Sequence, residues 1–114
     1  MKSSDRAPLP QSAIHVLIAI GPREMHGYAI MSEIDRVTEG AVKVGPGTLY
    51  TSIKRLLASG LLEETHERPD PALDDQRRRY YRLTAAGRQV ASAEVERLRA
   101  LVAAAAGWAN EIER

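Results

Sequence analysis

Cysteine and phenylalanine are absent from the sequence, and aromatic residues make up only 4% of its 114 residues. Without cysteine there is neither a disulfide framework nor a thiolate metal site, and without phenylalanine the core must be built from Leu, Ile, Val and Ala. No apolar run approaches the roughly 18 residues of a membrane span. The first residues, "MKSSDRAPLP", have no apolar segment behind their charges, so we expect no signal peptide. These absences predict a cytoplasmic protein with a modest core.

The charged residues are distributed unevenly, although the net charge is only +1. Residues 40–62 and 76–93 contain no Asp or Glu, yet they hold half of the 16 Lys and Arg residues. The acidic segment "EETHERPDPALDD" separates the two stretches. Two basic patches arranged in this way are typical of a surface that binds a polyanion such as a nucleic acid.

Hydrophobic periodicity predicts three helices followed by a β-hairpin. The helices are expected at Gln11–Ile20, at about His26–Val37, and from Gly45-Pro46 to Gly60. The runs "LLEETHER" and "RRRYYRLT" have the composition of two strands joined by a long polar loop. This order predicts a mainly α fold with a small β-hairpin, a winged helix-turn-helix over residues 10–84 that follows a flexible N-terminus at residues 1–9.

The last helix is expected to run from Ala85 close to the chain end, with Thr84 as its cap, as a separate dimerisation helix at residues 85–114. A helix of about 30 residues is roughly 45 Å long, more than a domain of this size can cover. Its apolar positions recur at near-heptad spacing, and a second copy of the chain is the simplest partner for them. Trp108 either packs in that interface or contributes to a ligand site. The predicted dimerisation residues are Leu98, Leu101, Val102, Ala105, Trp108 and Ile112.

The stretch "VGPGTLYTSIKRLLASG" at residues 44–60 has the glycines, hydroxyl groups and basic pair of a phosphate site. A Walker loop needs Lys directly after its second glycine, whereas Lys54 lies seven residues beyond Gly47. A dinucleotide-binding loop needs a third glycine where Tyr50 stands. Both patterns fail, which excludes a bound nucleotide. Pro46 also starts the helix, but a helix start alone does not explain an outer face without acidic residues.

That outer face, with Thr48, Thr51, Lys54, Arg55 and Ala58, is slim enough for the major groove of DNA. In a winged helix-turn-helix the third helix reads the major groove, while the hairpin reaches the flanking backbone or the adjacent minor groove. The predicted partner is double-stranded DNA with a near-palindromic operator. The predicted DNA-binding residues are Lys43, Gly47, Thr48, Tyr50, Thr51, Lys54, Arg55, Arg77, Arg78, Arg79 and Tyr80.

Neither an enzyme, a metal site nor a cofactor is predicted. His15, His26 and His66 fall in three different elements, without the spacing of metal ligands. No nucleophilic triad or pair of carboxylates is present in the pattern.

The motifs "MHGYAIMSEI", "GPGTLYTSIKRLLASGLLEE" and "RRRYYRLTAAGR", in this order and spacing, resemble the PadR family of bacterial transcriptional regulators. The resemblance covers about Gln11–Arg88 and points to the short-tailed branch, which has a single C-terminal helix. It implies a cytoplasmic, homodimeric winged-helix repressor that responds to a small molecule. Thr51 replaces a proline that is usual in the family, and Gly45 stands where Ser or Thr is common. The last helix has no aromatic residue between Ala91 and Leu101, where the drug-sensing branch has one.

A second function remains open at this point, a winged-helix module that binds proteins and never touches DNA. The basic outer face of the third helix distinguishes the two, because protein-binding modules tend to lose it.

Overall fold

The computed structural model describes residues 9–65 and 79–108, which form four helices and one three-stranded antiparallel sheet. This architecture confirms the mainly α fold with a small β-hairpin. The elements in chain order are α1 (Gln11–Ile20), β1 (Met25–His26), α2 (Gly27–Val37), α3 (Pro46–Ala58), β2 (Leu62–Thr65), β3 (Tyr80–Leu83) and α4 (Ala85–Ala105).

The helix boundaries follow local capping chemistry. The first helix has the predicted bounds, and Thr84 caps α4 by accepting a hydrogen bond from the Gly87 amide at 3.0 Å. The imidazole of His26 does the same for α2, where Nδ1 accepts from the Ala29 amide at 3.1 Å. His26 therefore precedes α2 instead of beginning it. Pro46 occupies the first position of α3, where an N–H group would have no partner within the helix, so its absence costs no hydrogen bond.

The sheet contains the predicted hairpin and one strand that the sequence did not reveal. β3 lies in the middle and pairs with β2 on one side and with β1 on the other. β1 has only two residues, too few for a periodic signal, and it pairs Met25 with Tyr81. It ties the start of α2 to the hairpin. Arg77 and Arg78, which the sequence places between β2 and β3, lie outside the described residues.

The core lies between α1, α3 and the inner face of the sheet. α1 is buried on most sides, as its nearly continuous apolar sequence predicts, and it packs against the other three helices. Leu49, Ile53 and Leu56 of α3 are at most 2% exposed. Val37, the last residue of α2, is 49% exposed, whereas Ile30 and Ile34 of the same helix are buried.

α4 is anchored at its first turn and exposed beyond it. Gly87 packs so closely on the backbone of Leu61 that a Cβ would overlap the Leu61 carbonyl group. α4 ends at Ala105, sooner than the sequence predicts, and Ala106–Trp108 form a turn that includes Gly107, a poor helix former. The helix is thus about 32 Å long at 1.5 Å per residue. Within residues 9–65 and 79–108, no helix is long and apolar enough to cross a membrane.

Candidate nucleic-acid interface

The outer face of α3 is exposed, polar and free of acidic side chains. While one side of the helix is buried, the predicted contact residues on the other side all face solvent. The helix has no Asp or Glu in its 13 residues, so nothing on it neutralises the two basic groups. The exposed positions of α3 are Pro46, Gly47, Thr48, Tyr50, Thr51, Lys54, Arg55 and Ala58.

One flank of α3 is fixed to the beginning of α1. The Ser12 and Ser52 hydroxyl groups lie 3.0 Å apart in a hydrogen bond, and Ser52 is only 5% exposed. A groove beside this bond is lined by Thr48, Thr51 and Arg55 together with Ser12. Ser12 is therefore a candidate contact that the sequence reading missed. Its signal was Ser52, a polar residue beside the apolar stripe of α3, which needs a polar neighbour when buried.

The opposite flank of α3 carries Tyr50, which leans toward the start of α2. Its side chain is 37% exposed, and its ring occupies the space in which a side chain at Gly27 would lie. Tyr81 of β3 is close to the same junction. Burial raises the pKa of the Tyr81 phenol, and the nearby Glu64 and Tyr50 raise it further.

Lys43, in the loop before α3, is exposed but has an acidic neighbour. Its Nζ lies 3.0 Å from a carboxylate oxygen of Asp35, so part of its charge is compensated. Tyr28 and Ser32 of α2 line the same shallow groove, and Tyr28 is 65% exposed. α2 thus presents polar groups next to Lys43 that composition alone did not single out.

The basic residues at the base of the hairpin are paired with acidic residues of the adjacent strands. The Arg79 guanidinium lies 3.4 Å from Glu64, and Arg82 lies 2.7 Å from Glu63. Arg82 also reaches Glu24 at 3.4 Å, which links the sheet to the segment before β1. Tyr80 packs edge-on against the His26 ring, with centroids 5.4 Å apart. The second basic stretch is therefore partly neutralised where it joins the sheet.

α4 presents a row of exposed apolar side chains at the positions predicted for dimerisation. Leu98, Leu101 and Val102 are 36%, 55% and 69% exposed, and Ala105 is half-buried. Trp108, 50% exposed, lies in the turn after the helix, while Ile112 is outside the described residues. Such a row has no partner within the described part of the chain.

A mainly apolar groove of about 400 Å³ separates α1 from α4. Leu17 and Ile18 line one side, Ala91 and Val95 the other, and Arg88, Glu96 and Arg99 supply charge. In residues 9–65 and 79–108, by contrast, no three His, Asp or Glu side chains come together as metal ligands would.

Comparison with known proteins agrees with this geometry. Residues 16–93 match the transcriptional regulator PadR-like family. A transcriptional regulator of Mycobacterium tuberculosis is 37% identical over 75 residues, which make up 66% of this chain and 64% of that relative. The match thus spans slightly less than two thirds of the relative's length.

Two solved structures share the fold. A PadR family transcription regulator from Clostridium difficile superposes with a TM-score of 0.69 at 20% identity, covering 87% of this chain and 98% of that one. Bacillus subtilis PadR, solved in complex with operator DNA, superposes with a TM-score of 0.64 at 18% identity, covering 77% of this chain and 48% of that one. At these identities the similarity establishes a winged-helix fold.

The family match begins within α1 and covers α2, α3, the hairpin and the start of α4, which is the region where the three sequence motifs lie. It confirms the resemblance drawn from those motifs and the prediction of a regulator rather than an enzyme. The chain belongs to the PadR-like family of transcriptional regulators.

Proposed function

We propose that this protein is a homodimeric, sequence-specific DNA-binding repressor that acts in the cytoplasm on a near-palindromic operator. The observation that carries the proposal is the exposed face of α3, which has hydroxyl and basic groups and no carboxylate. The DNA complex of Bacillus subtilis PadR supports it, because that protein shares the fold.

The exposed residues of α3 differ in their chemistry, which suggests different roles. Thr48, Thr51 and Arg55 are the candidates for base edges, since hydroxyl and guanidinium groups can form directional hydrogen bonds in the major groove. Lys54, a point charge, is the candidate for a phosphate. A Cβ at Gly47 would meet nothing within 4 Å, so the missing side chain leaves the first turn of α3 open to the DNA backbone.

The loop before α3 and the hairpin would add affinity from either side. Lys43 remains 74% exposed despite its pair with Asp35, so it can address a phosphate. Arg79 is 51% exposed and can exchange Glu64 for a phosphate at small cost, since exposed ion pairs contribute little. Arg77, Arg78 and Tyr80 complete the proposed hairpin contacts.

Dimerisation would place two copies of α3 on successive major grooves. The apolar row on α4, namely Leu98, Leu101, Val102 and Ala105 with Trp108 and Ile112 beyond the helix, is the proposed interface. In this division residues 10–84 bind DNA and residues 85–114 join the subunits. Residues 1–8, within the predicted flexible N-terminus, lie outside the described residues.

The groove between α1 and α4 would receive a small-molecule effector. Its volume of about 400 Å³ and mainly apolar lining are within the usual range for ligand pockets, and Arg88 and Arg99 favour an anionic or polar group at the rim. A ligand there would contact both the DNA-binding fold and the dimerisation helix.

A fluorescence anisotropy titration tests the proposed function directly. The protein is mixed with labelled duplexes from the region upstream of its own gene and with scrambled duplexes of equal length. Tighter binding to one upstream duplex supports a sequence-specific regulator. Equal, weak binding to every duplex would favour a protein-binding winged-helix module instead.

A further inference from the structure

Tyr50 stands out among the α3 residues because its side chain is directed along the protein rather than away from it. Tyr50 is 37% exposed, and its ring packs on Gly27, the first residue of α2. A Cβ built on Gly27 would lie 2.8 Å from Tyr50 Cζ and 3.2 Å from Cε1, and nearer still to the hydroxyl oxygen. The absence of a side chain at Gly27 is what makes room for the ring.

The backbone at Gly27 gives no other reason for glycine. Gly27 is not among the residues with a positive φ, so any L-residue could adopt its conformation. Glycine also weakens a helix relative to alanine. Glycine at position 27 therefore lowers helix propensity but leaves space, which the Tyr50 ring fills.

The contact lies where three parts of the DNA-binding fold meet. Gly27 follows His26, which caps α2 and pairs with Tyr80 of β3 through β1. Tyr50 belongs to α3. A rigid aromatic ring at this point therefore connects the proposed recognition helix to both its supporting helix and the hairpin.

We propose that Tyr50 is a positioning residue that sets α3 relative to α2 and the hairpin through its contact with Gly27, and that it is not a phosphate contact. The inference rests on the proposed DNA binding and deepens it. A methyl group at Gly27 would overlap the outer end of the Tyr50 ring. Because Tyr has few allowed rotamers in a helix, we expect α3 to shift rather than the ring to turn away. Base contacts depend on placement within fractions of an ångström, whereas phosphate contacts tolerate more, so sequence preference is the property that suffers.

The test is a double-mutant cycle with Gly27→Ala, Tyr50→Ala and both together, plus Tyr50→Phe. Each variant is titrated with operator and scrambled duplexes. Discrimination is the ratio of the dissociation constant for the scrambled duplex to that for the operator. Gly27→Ala should lower that ratio about tenfold, the size of one lost base contact. In the Tyr50→Ala background the same change should have no further effect, because the ring it collides with is gone. Tyr50→Phe, which keeps the ring, should stay within about twofold of wild type.

Thermal unfolding of the wild type, Gly27→Ala, Tyr50→Ala and the double variant measures the Gly27–Tyr50 contact without DNA. Gly27→Ala should lower Tm in the wild-type background and not in the Tyr50→Ala background. Gly47→Ala is the control, since a Cβ at this glycine inside α3 meets nothing within 4 Å and alanine favours a helix, so Tm should not fall.

Several results would overturn the inference. If Tyr50→Phe weakens binding to operator and scrambled duplexes by the same large factor, the hydroxyl touches the DNA backbone. If Gly27→Ala keeps wild-type discrimination, or acts equally in both backgrounds, Tyr50 does not position α3. Failure of the wild type to bind any duplex would instead overturn the proposed function, and the unfolding cycle would still show whether the contact exists.

Discussion

α3 and α4 are both amphipathic helices, but the apolar face of α3 is buried whereas that of α4 is exposed. In α3 the apolar side is fully covered, with Leu49 and Leu56 at 0% exposure, and the exposed side is polar. In α4 only Gly87 is buried, and Leu101 and Val102 remain more than half exposed. The apolar face of α3 is satisfied by its own domain, and that of α4 is not.

The exposed faces of α3 and α4 therefore call for two different kinds of partner. α3 offers charge and hydrogen-bond donors, which a polyanion can satisfy. α4 offers apolar area, which another protein surface can bury. DNA would satisfy α3, and a second copy of the chain would cover α4. Salt and mutation should therefore affect the two helices differently.

The largest expected effect is that of salt on DNA binding. If a dimer neutralises about 6–10 phosphates, affinity should fall by roughly 10³–10⁵ between 50 and 200 mM salt. The dimer itself should hardly respond over that range, because the α4 interface is apolar. Anisotropy titrations and sedimentation at matched salt concentrations measure the two responses. A flat DNA response would show that the basic surface does not bind phosphates.

Charges placed in the apolar row of α4 should dissociate the dimer. The double variant Leu98→Glu/Leu101→Glu would bury two carboxylates, each costing roughly several kcal/mol if left unpaired. Analytical ultracentrifugation at micromolar concentration should find a dimer for the wild type and a monomer for the variant.

The matched control for that variant is Ala100→Glu, on the same exposed helix but facing away from the row. It should remain dimeric. A wild-type monomer at micromolar concentration, or a double variant that stays dimeric, would contradict the proposed interface.

Single substitutions should then distinguish base contacts from backbone contacts. Thr51→Ala or Arg55→Ala should relax preference at particular operator positions, by about 1–3 kcal/mol where a contact is bidentate. Arg78→Ala, between β2 and β3 in the sequence, should weaken specific and non-specific binding alike and reduce the salt slope by about one unit. Titrations on operator variants and scrambled duplexes provide both quantities. If the hairpin variant loses sequence preference while the α3 variants lose only bulk affinity, the assigned roles are reversed.

The smallest effect concerns α2, which supports α3 and has no proposed base contact. Hydrogen bonds from Arg36, and then from Arg23, lower the pKa of Glu33 from 4.5 to about 2. Because the folded state binds this proton more weakly than the unfolded state, the stabilisation is complete above about pH 4.5 and is lost as pH falls toward 2. Exposure of Arg36 to solvent keeps the effect modest.

Glu33→Gln should therefore flatten the dependence of Tm on pH between about 4.5 and 2, as followed by circular dichroism. Glu96→Gln, at a carboxylate that is 75% exposed, is the control and should leave the wild-type slope. Equal slopes for wild type and Glu33→Gln would show that the Glu33 pairs do not stabilise the folded state.

Local patterns were sufficient to predict the helices and the hairpin. Residues 11–20 are apolar nearly throughout and end at Gly21-Pro22, so α1 could be placed with its observed bounds. The Thr84 cap likewise depends on neighbours within one helical turn. β1 could not be foreseen, since two residues form a strand only because β3 lies beside them.

The candidate site shows the same division between local and tertiary information. The exposed face of α3 follows from helical spacing, so Thr51 and Arg55 could be named in advance. The Ser12–Ser52 bond joins residues 40 positions apart, and the packing of Tyr50 on Gly27 joins two helices. Such contacts depend on how the elements pack, and no local pattern encodes them.

Selection of bound sequences from a pool of random duplexes, followed by sequencing, tests the central claim most directly. A dimer that presents two copies of α3 should enrich a near-palindrome whose half-sites lie about 10 base pairs apart, one helical turn, or a multiple of it. Substitution of Arg55 by Ala should weaken the base preference at the same position of both half-sites. A pool that gains no common sequence, or gains a single half-site without two-fold symmetry, would contradict the account.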